Sequence, residues 1–175
     1  MFLTEGLGAA DLELQPGHPN VVFAAMWHGQ RYPWTIVSGS KDGGIYRSKD
    51  GGETWAKLGG GLPTGEFGRA NVGIPSAAPN RVYAIIEAKP GAGFYRSDDL
   101  GDTWTLVNGQ DRLTTRPFYY DTLGIDPGTP DTVYVGDETW FKSTDAGKTF
   151  RVQRTPHGDN HDIWVNPTNS NIMIQ

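Results

Sequence analysis

The chain has 175 residues, no cysteine and a formal net charge of −5. That length suits one domain or a piece of a larger one. The absence of thiols excludes disulfide scaffolds and Cys-based zinc sites, and the acidic balance argues against a nucleic-acid partner. Apolar residues at 37% and charged residues at 20% exclude a disordered chain, while Gly 24 and Pro 12 are heavy for a helical protein.

In chain order, Met1 to Gln15 contain no apolar run of signal-peptide length, and no later stretch is apolar for the length of a membrane span. Leu12 and Leu14 then form an apolar pair at period two, and Pro19-Asn20 turns the chain into Val21-Val22-Phe23-Ala24. A long insertion, Met26 to Trp34, separates this strand from Gly44-Ile45-Tyr46-Arg47, which runs into Ser48-Lys49-Asp50-Gly51-Gly52-Glu53-Thr54-Trp55. The same succession returns with Val72/Ile74, Pro79-Asn80, Tyr95-Arg96 and Ser97 to Trp104. It returns again with Leu123/Ile125, Pro130-Asp131, Phe141-Lys142 and Ser143 to Phe150. A fourth copy begins with Ile163/Val165 and ends on Ser170-Asn171-Ile172-Met173-Ile174, an apolar strand-like run.

No segment holds a helical period, so each unit reads as four short antiparallel strands, A to D. Four such strands in a repeat of 40–50 residues make the blade of a β-propeller. The fold class is therefore all-β: one partial propeller domain over 1–175, with blades at about 7–58, 68–107 and 119–153 and a half-blade at 160–175.

The recurring S-x-D-x-G-x-T-[W/F] turn has a structural logic. Asp50, Asp99 and Asp145 can accept backbone amides just downstream, and Ser48, Ser97 and Ser143 stand two residues before them. Gly52, Gly101 and Gly147 supply a conformation that a Cβ resists, and Trp55, Trp104 and Phe150 are placed to bury between sheets. A carboxylate repeated in every blade is scaffold rather than a catalytic acid.

This turn resembles the Asp-box, or bacterial neuraminidase repeat, of sialidases, xyloglucanases and the sortilin ectodomain. With Trp27…Pro33-Trp34, Phe118-Tyr119-Tyr120 and Thr155 to Trp164, the chain is similar to large bacterial sortilin-like proteins, often labelled glycosyl hydrolases, built from two long propellers. The resemblance implies a secreted, periplasmic or cell-surface setting and no particular turnover. The Arg-Ile-Pro segment of sialidases has no match, since Ile74-Pro75 follows Gly73. The acid pair of xyloglucanases spans two propellers.

In an up-and-down blade the A–B and C–D turns share one face of the disc, and the B–C and D-to-A loops share the other. The second face carries the variable lengths, and variable loops on a constant scaffold are where binding is built. Trp27, His28, Arg31, Tyr32 and Trp34 in the first insertion are candidates to stack on and bond a ligand; the alternative is that these rings pack the loop onto its own blade. Arg69, Arg112 and Arg116 are expected in D-to-A loops on that face, where they could clamp a carboxylate or stand as solvated charges. Asp137 and Glu138 are a possible acid pair, weakened because neighbours on a strand point opposite ways.

His157, Asp159 and His161 alternate, so an extended chain would aim all three to one side as metal ligands. The alternative there is a hydrogen-bonded network to the neighbouring blade. No cofactor is expected.

Two functions follow from different classes. One is a recognition scaffold that binds glycan or peptide on its long-loop face within a larger protein. The other is a glycoside hydrolase-type propeller whose catalytic residues lie mostly outside this chain. Three blades and two strands should also leave open flanks, exemplified by Leu12/Leu14 and Ile163/Val165, to be covered by further blades or another chain.

Overall fold

The computed structural model describes residues 3–175. The first unit comprises β1 (Gly8–Leu14), β2 (Val22–Trp27), β3 (Gly29–Tyr32), β4 (Thr35–Ser38), β5 (Gly44–Ser48) and β6 (Ala56–Lys57). β1, β2, β5 and β6 pair antiparallel in that order, while β3 and β4 form a separate hairpin within the long B–C insertion. The second sheet is β7 (Glu66–Gly73), β8 (Val82–Lys89), β9 (Gly93–Ser97) and β10 (Thr105–Asn108). After one short 3-10 turn at Asp111–Leu113 comes the third, β11 (Thr122–Ile125), β12 (Val133–Gly136), β13 (Trp140–Ser143) and β14 (Arg151–Gln153). β15 (Trp164–Val165) and β16 (Met173–Ile174) are the two strands of a fourth unit. The fold is a partial β-propeller.

The repeat is kept down to the register. Val22 faces Ser48, Val82 faces Ser97 and Val133 faces Ser143, so every Asp-box starts opposite the same point of strand B. First strands contact first strands, β1 with β7, β7 with β11 and β11 with β15, and these line the axis.

Alternation along each strand sends side chains to two different neighbours. Phe23, Ala25 and Ile45 of the first sheet pack against Val72, Ile74, Val82, Ala84, Ile86 and Tyr95 of the second. The opposite side of the second sheet, Tyr83, Ile85 and Phe94, packs against Val133, Val135 and Phe141 of the third. The D-to-A connectors add one leucine to each interface, Leu62 beside Trp104 and Leu113 beside Phe150.

Polar side chains splice the inner strands. Glu13 on β1 accepts Ile74 N, just past the end of β7, at 3.3 Å, and Asn71 on β7 accepts Leu123 N of β11 at 3.0 Å.

Each Asp-box closes on itself. Ser97 Oγ donates to Asp99 Oδ1 at 2.7 Å and accepts Gly101 N at 2.8 Å, while Asp99 accepts Thr103 N at 2.8 Å and Thr103 Oγ1 at 2.6 Å. The same bonds recur at Ser48/Asp50/Gly52/Thr54 and Ser143/Asp145/Gly147/Thr149. Trp55 and Trp104 donate their indole N–H to the Gly52 and Gly101 carbonyls, a bond that Phe150 cannot make. The residue before each of these glycines donates its N–H to the A–B turn: Gly51 to Asn20, Leu100 to Asn80 and Ala146 to Asp131. That bond holds the A–B and C–D turns on one face, and Leu100 and Ala146 take up positive φ to make it.

The open flanks differ from expectation at one end. Leu12 and Leu14 are 61% and 56% exposed, whereas Ile163 is buried and Val165 half-buried, because the A-strand pair of every unit faces the preceding sheet. The uncovered side of the fourth unit carries Trp164, Ile172 and Ile174 instead.

Candidate functional site

The face opposite the Asp-boxes is built from the β3–β4 hairpin, the segment 114–121, the short connection at Asp137–Thr139 and residues 154–163. Pro33 and Trp34 form the two-residue turn of the hairpin, pairing Tyr32 with Thr35. Tyr32 and Trp34 stack at 5.6 Å with a 16° interplanar angle, and Trp34 is 79% exposed at the tip. His28 lies behind the hairpin, its ring against Gly6 and its carbonyl accepting Gly39 N.

Trp27 turns the other way. Its indole N–H donates to Ser38 Oγ at 3.1 Å, and Ser38 Oγ donates to Glu87 Oε2 at 2.5 Å. Glu87 Oε2 also accepts the Arg69 backbone N–H at 3.0 Å, and Arg69 Nη1 donates to the Phe118 carbonyl at 3.1 Å. The Arg69 guanidinium lies over the Trp27 ring at 5.8 Å. Arg69 is therefore not in a D-to-A loop as expected from its place in the sequence. It stands on β7, where a bulge between Phe67 and Ala70 points it across the face.

A run of rings crosses the face. Trp27 meets Phe118 edge-on at 5.1 Å, Phe118 meets Tyr119 at 5.0 Å, Tyr119 meets Tyr120 at 6.3 Å, and Tyr120 meets the His161 ring at 4.7 Å. Arg31 donates to the Tyr119 hydroxyl, and both Arg31 and Arg116 lie over the Tyr119 ring, at 5.6 and 5.5 Å. Arg116 is also paired with Glu138 at 2.9 Å. Between hairpin and segment opens a cleft of about 270 Å³ lined by Ile36, Ser38, Glu87, Arg116, Phe118 and Tyr119. The three expected arginines separate: Arg112 stays on the 3-10 turn, donating to Gln110 and to the Phe150 carbonyl.

Asp137 and Glu138 are held by different partners. Asp137 is fully buried and accepts Thr115 N at 2.7 Å and Glu138 N at 2.6 Å, so it anchors the segment beneath the aromatic run. The same segment ends at Asp121, fully buried at φ 60, with neither carboxylate oxygen hydrogen-bonded. Burial raises its pKa well above the carboxylate range, the Asp137 and Glu87 charges add to that, and Arg69 opposes them.

His157, Asp159 and His161 are not gathered. Asp159 adopts φ 63, which breaks the extended run that would have aligned them. Its carboxylate instead accepts the Tyr120 hydroxyl at 2.7 Å, His157 Nδ1 contacts the Gly158 carbonyl, and the His161 ring lies tilted at 47° against Tyr120. Among the described residues no three His, Cys, Asp or Glu side chains converge as metal ligands would. Asn160 donates to the Asp137 carbonyl at 3.1 Å, so this segment is joined to the neighbouring unit by hydrogen bonds.

Sequence reasoning passed over Ser38, Glu87 and Tyr119 as site residues. The lone acid in the apolar strand Val82–Lys89 and the run Phe118-Tyr119-Tyr120 were the available signals.

The BNR/Asp-box repeat model matches residues 46–57, the first of the three boxes. No curated protein sequence matches the chain. Among solved structures, the GH74 enzyme of Niastella koreensis is similar over 91% of this chain and 24% of its own, with 22% identity and a TM-score of 0.64. An ancestral GH74 enzyme is similar over 95% of this chain and 23% of its own, at 18% identity and TM-score 0.66. YCF48 bound to D1 peptide is similar over 85% of this chain and 44% of its own, at 15% identity and TM-score 0.53. The chain thus spans about a quarter of the length of the GH74 enzymes. At these identities the likeness is one of fold, and repeat and fold agree on a BNR-type β-propeller. No helix among the described residues is long and apolar enough to cross a membrane.

Proposed function

We propose that the loop face is a recognition surface for an extended glycan or peptide, and that this chain is a scaffold segment of a larger secreted, periplasmic or cell-surface protein. The observation that carries this is the run of rings from Trp27 to His161, flanked by Arg31 and Arg116 and bordered by the open Trp34. Aromatic faces supply stacking area at low entropic cost, and the two guanidinium groups supply directed donors at the rim. The opposite face offers no such variety, since its turns consume their own polar groups. That YCF48 is known with a bound peptide supports binding on this kind of scaffold.

The likeness to GH74 enzymes favours a second function, a glycoside hydrolase-type propeller. Asp137 is buried and engaged and Glu138 is paired with Arg116, so its acid pair would come mostly from outside this chain.

The test is titration of the chain against panels of oligosaccharides and of peptides, with turnover followed in parallel. Trp34→Ala should weaken binding by a kcal/mol or more and leave the melting temperature unchanged. Trp27→Ala should lower both, because its ring also holds Ser38 and Phe118. Affinity untouched by either substitution would remove the loop face as the binding surface, and turnover without retained binding would favour the hydrolase.

A further inference from the structure

Four buried oxygen atoms at the loop face have no donor. They are both carboxylate oxygens of Asp121, Thr122 Oγ1 and Asn160 Oδ1, each out of contact with solvent and without a hydrogen bond among the described residues. Asp121 is 0% exposed, Asn160 2% and Thr122 6%. A polar atom left buried and unbonded is destabilising, and folded interiors rarely hold one.

The fold brings these residues together from two units. Thr122 pairs with Gly136 across β11 and β12. A Cβ on Gly136 would stand 2.4 Å from Thr122 Oγ1, 3.0 Å from the Asn160 carbonyl oxygen and 3.4 Å from Asn160 Cβ. Hydroxyl and asparagine therefore close on the same bare stretch of backbone. Asn160 is fixed there by its nitrogens, since its backbone N–H and its Nδ2 both donate to the Asp137 carbonyl at 3.1 Å, and Oδ1 lies on the other side of the amide. Asp121 precedes Thr122 at φ 60, and Asp159 precedes Asn160 at φ 63. Left-handed residues other than glycine cluster at ligand clamps.

The nearest opposite charge does not satisfy these oxygens. Arg69 attracts Asp121, but its Nε has no acceptor and no bond joins the two side chains. Its Nη1 donates to the Phe118 carbonyl instead. Asp137 and Glu87 add their charges to that of Asp121, so three carboxylates face one guanidinium. A water molecule has only two hydrogens to donate and no net charge. It satisfies neither the four acceptors nor the excess of negative charge.

We propose that Asp121, Thr122 and Asn160 form a binding site for a calcium-sized divalent cation. Calcium accepts oxygen ligands of mixed kind in flexible geometry and completes its shell with water, whereas magnesium demands near-octahedral order. Bound there, the ion ties the end of the aromatic segment to the chain that enters the fourth unit. The site is independent of what the loop face binds.

The experiment uses the whole chain, dialysed against chelator and melted with calcium, magnesium or potassium chloride at matched ionic strength. Calcium at about a hundred times its Kd should raise the melting temperature by about 5–10 °C, magnesium should raise it less, and potassium should leave it unchanged. Terbium, a substitute for calcium, should give luminescence sensitised by Tyr119 and Tyr120, and calcium should quench it by displacement. In chelator Asp121→Asn should melt above the parent, because it removes a lone buried charge; in calcium the order should reverse. Thr122→Val keeps the strand and loses only an unbonded hydroxyl. It should melt like the parent in chelator and bind calcium at least about tenfold more weakly.

No response to calcium in either the melts or the terbium signal overturns the proposal. So does an equal gain from magnesium or potassium. A response that survives both Asp121→Asn and Thr122→Val would put the ion elsewhere and overturn it too. If Asp121→Asn does not fold, Thr122→Val decides alone, by losing affinity or keeping it.

Discussion

Asp11 on β1 accepts the backbone N–H of Val72 on β7 at 2.7 Å, so a carboxylate of one sheet completes the inner edge of the next. Glu13 repeats the device one step along, to Ile74 N at 3.3 Å. These bonds take carboxyl groups out of water at the seam between blades. Burial raises the pKa of Asp11 and pushes that of Glu13 up to about 7, against the backbone bonds they accept from Val72 and Ile74.

A pH dependence of stability follows at that seam. A carboxyl whose folded pKa lies above its unfolded value contributes its full stability below the unfolded pKa and loses it as pH rises through the folded one. For Glu13 the window runs from 4.5 to about 7, so the melting temperature should decline across it. Glu13→Gln keeps an acceptor for Ile74 N and removes the charge, and should flatten that decline. Parallel curves for parent and variant, measured by thermal melts from pH 4 to 8, would contradict this.

The Asp-box acids have the opposite sign. Bonds from the Thr side chain and backbone hold Asp50 and Asp99 down at about 2, so their stabilisation is present above the ordinary value of 3.8 and fades as pH falls toward 2. Asp99→Ala should lower the melting temperature at neutral pH and leave loop-face affinity alone, because the box lies on the other face. The deficit should shrink in acid. Identical melts for variant and parent at pH 7 would remove the structural role.

The three box aromatics should differ in energetic weight although they occupy one motif position. Trp104 is 6% exposed between two sheets, and Trp104→Ala should cost roughly 3–5 kcal/mol by denaturant unfolding. Trp55 has a sheet on one side only, and its replacement should cost about half of that. Equal losses would mean that the first flank is as well covered as the second.

Asp121 is a buried acid with no hydrogen-bond partner, and its raised pKa makes it a liability as pH rises. Asn has nearly the same shape and tolerates the positive φ of 60 found there. Asp121→Asn should therefore raise stability at pH 7 by about 1 kcal/mol and flatten the pH dependence above pH 4. A loss of stability at pH 7 would show that the carboxyl is worth keeping.

Much of this architecture was legible because it repeats. The period-two pairs and the S-x-D-x-G-x-T turn are local, and a local pattern copied three times fixes strand order and register. The loop face was harder to read, for physical reasons. Trp27 and Trp34 look alike in sequence, yet the hairpin of β3 and β4 sends one ring inward and leaves the other in solvent. Arg69 moved from loop to strand because a bulge is invisible to a period-two count. Asp159 broke an alternation that had aligned two histidines, through one left-handed residue that nothing nearby announces. Contacts such as Arg31 with Tyr119 join residues far apart in the chain, and no local rule encodes them.

The bond from the residue before each box glycine to the A–B turn, Gly51 to Asn20, Leu100 to Asn80 and Ala146 to Asp131, has an evolutionary consequence. Both partners lie inside one unit, so a stretch of DNA encoding that unit carries its own turn-forming rules wherever it is copied. Tandem duplication can then lengthen the gene without first inventing new turns. Insertions such as the hairpin of β3 and β4 can arise in one copy while its sisters keep the original connection.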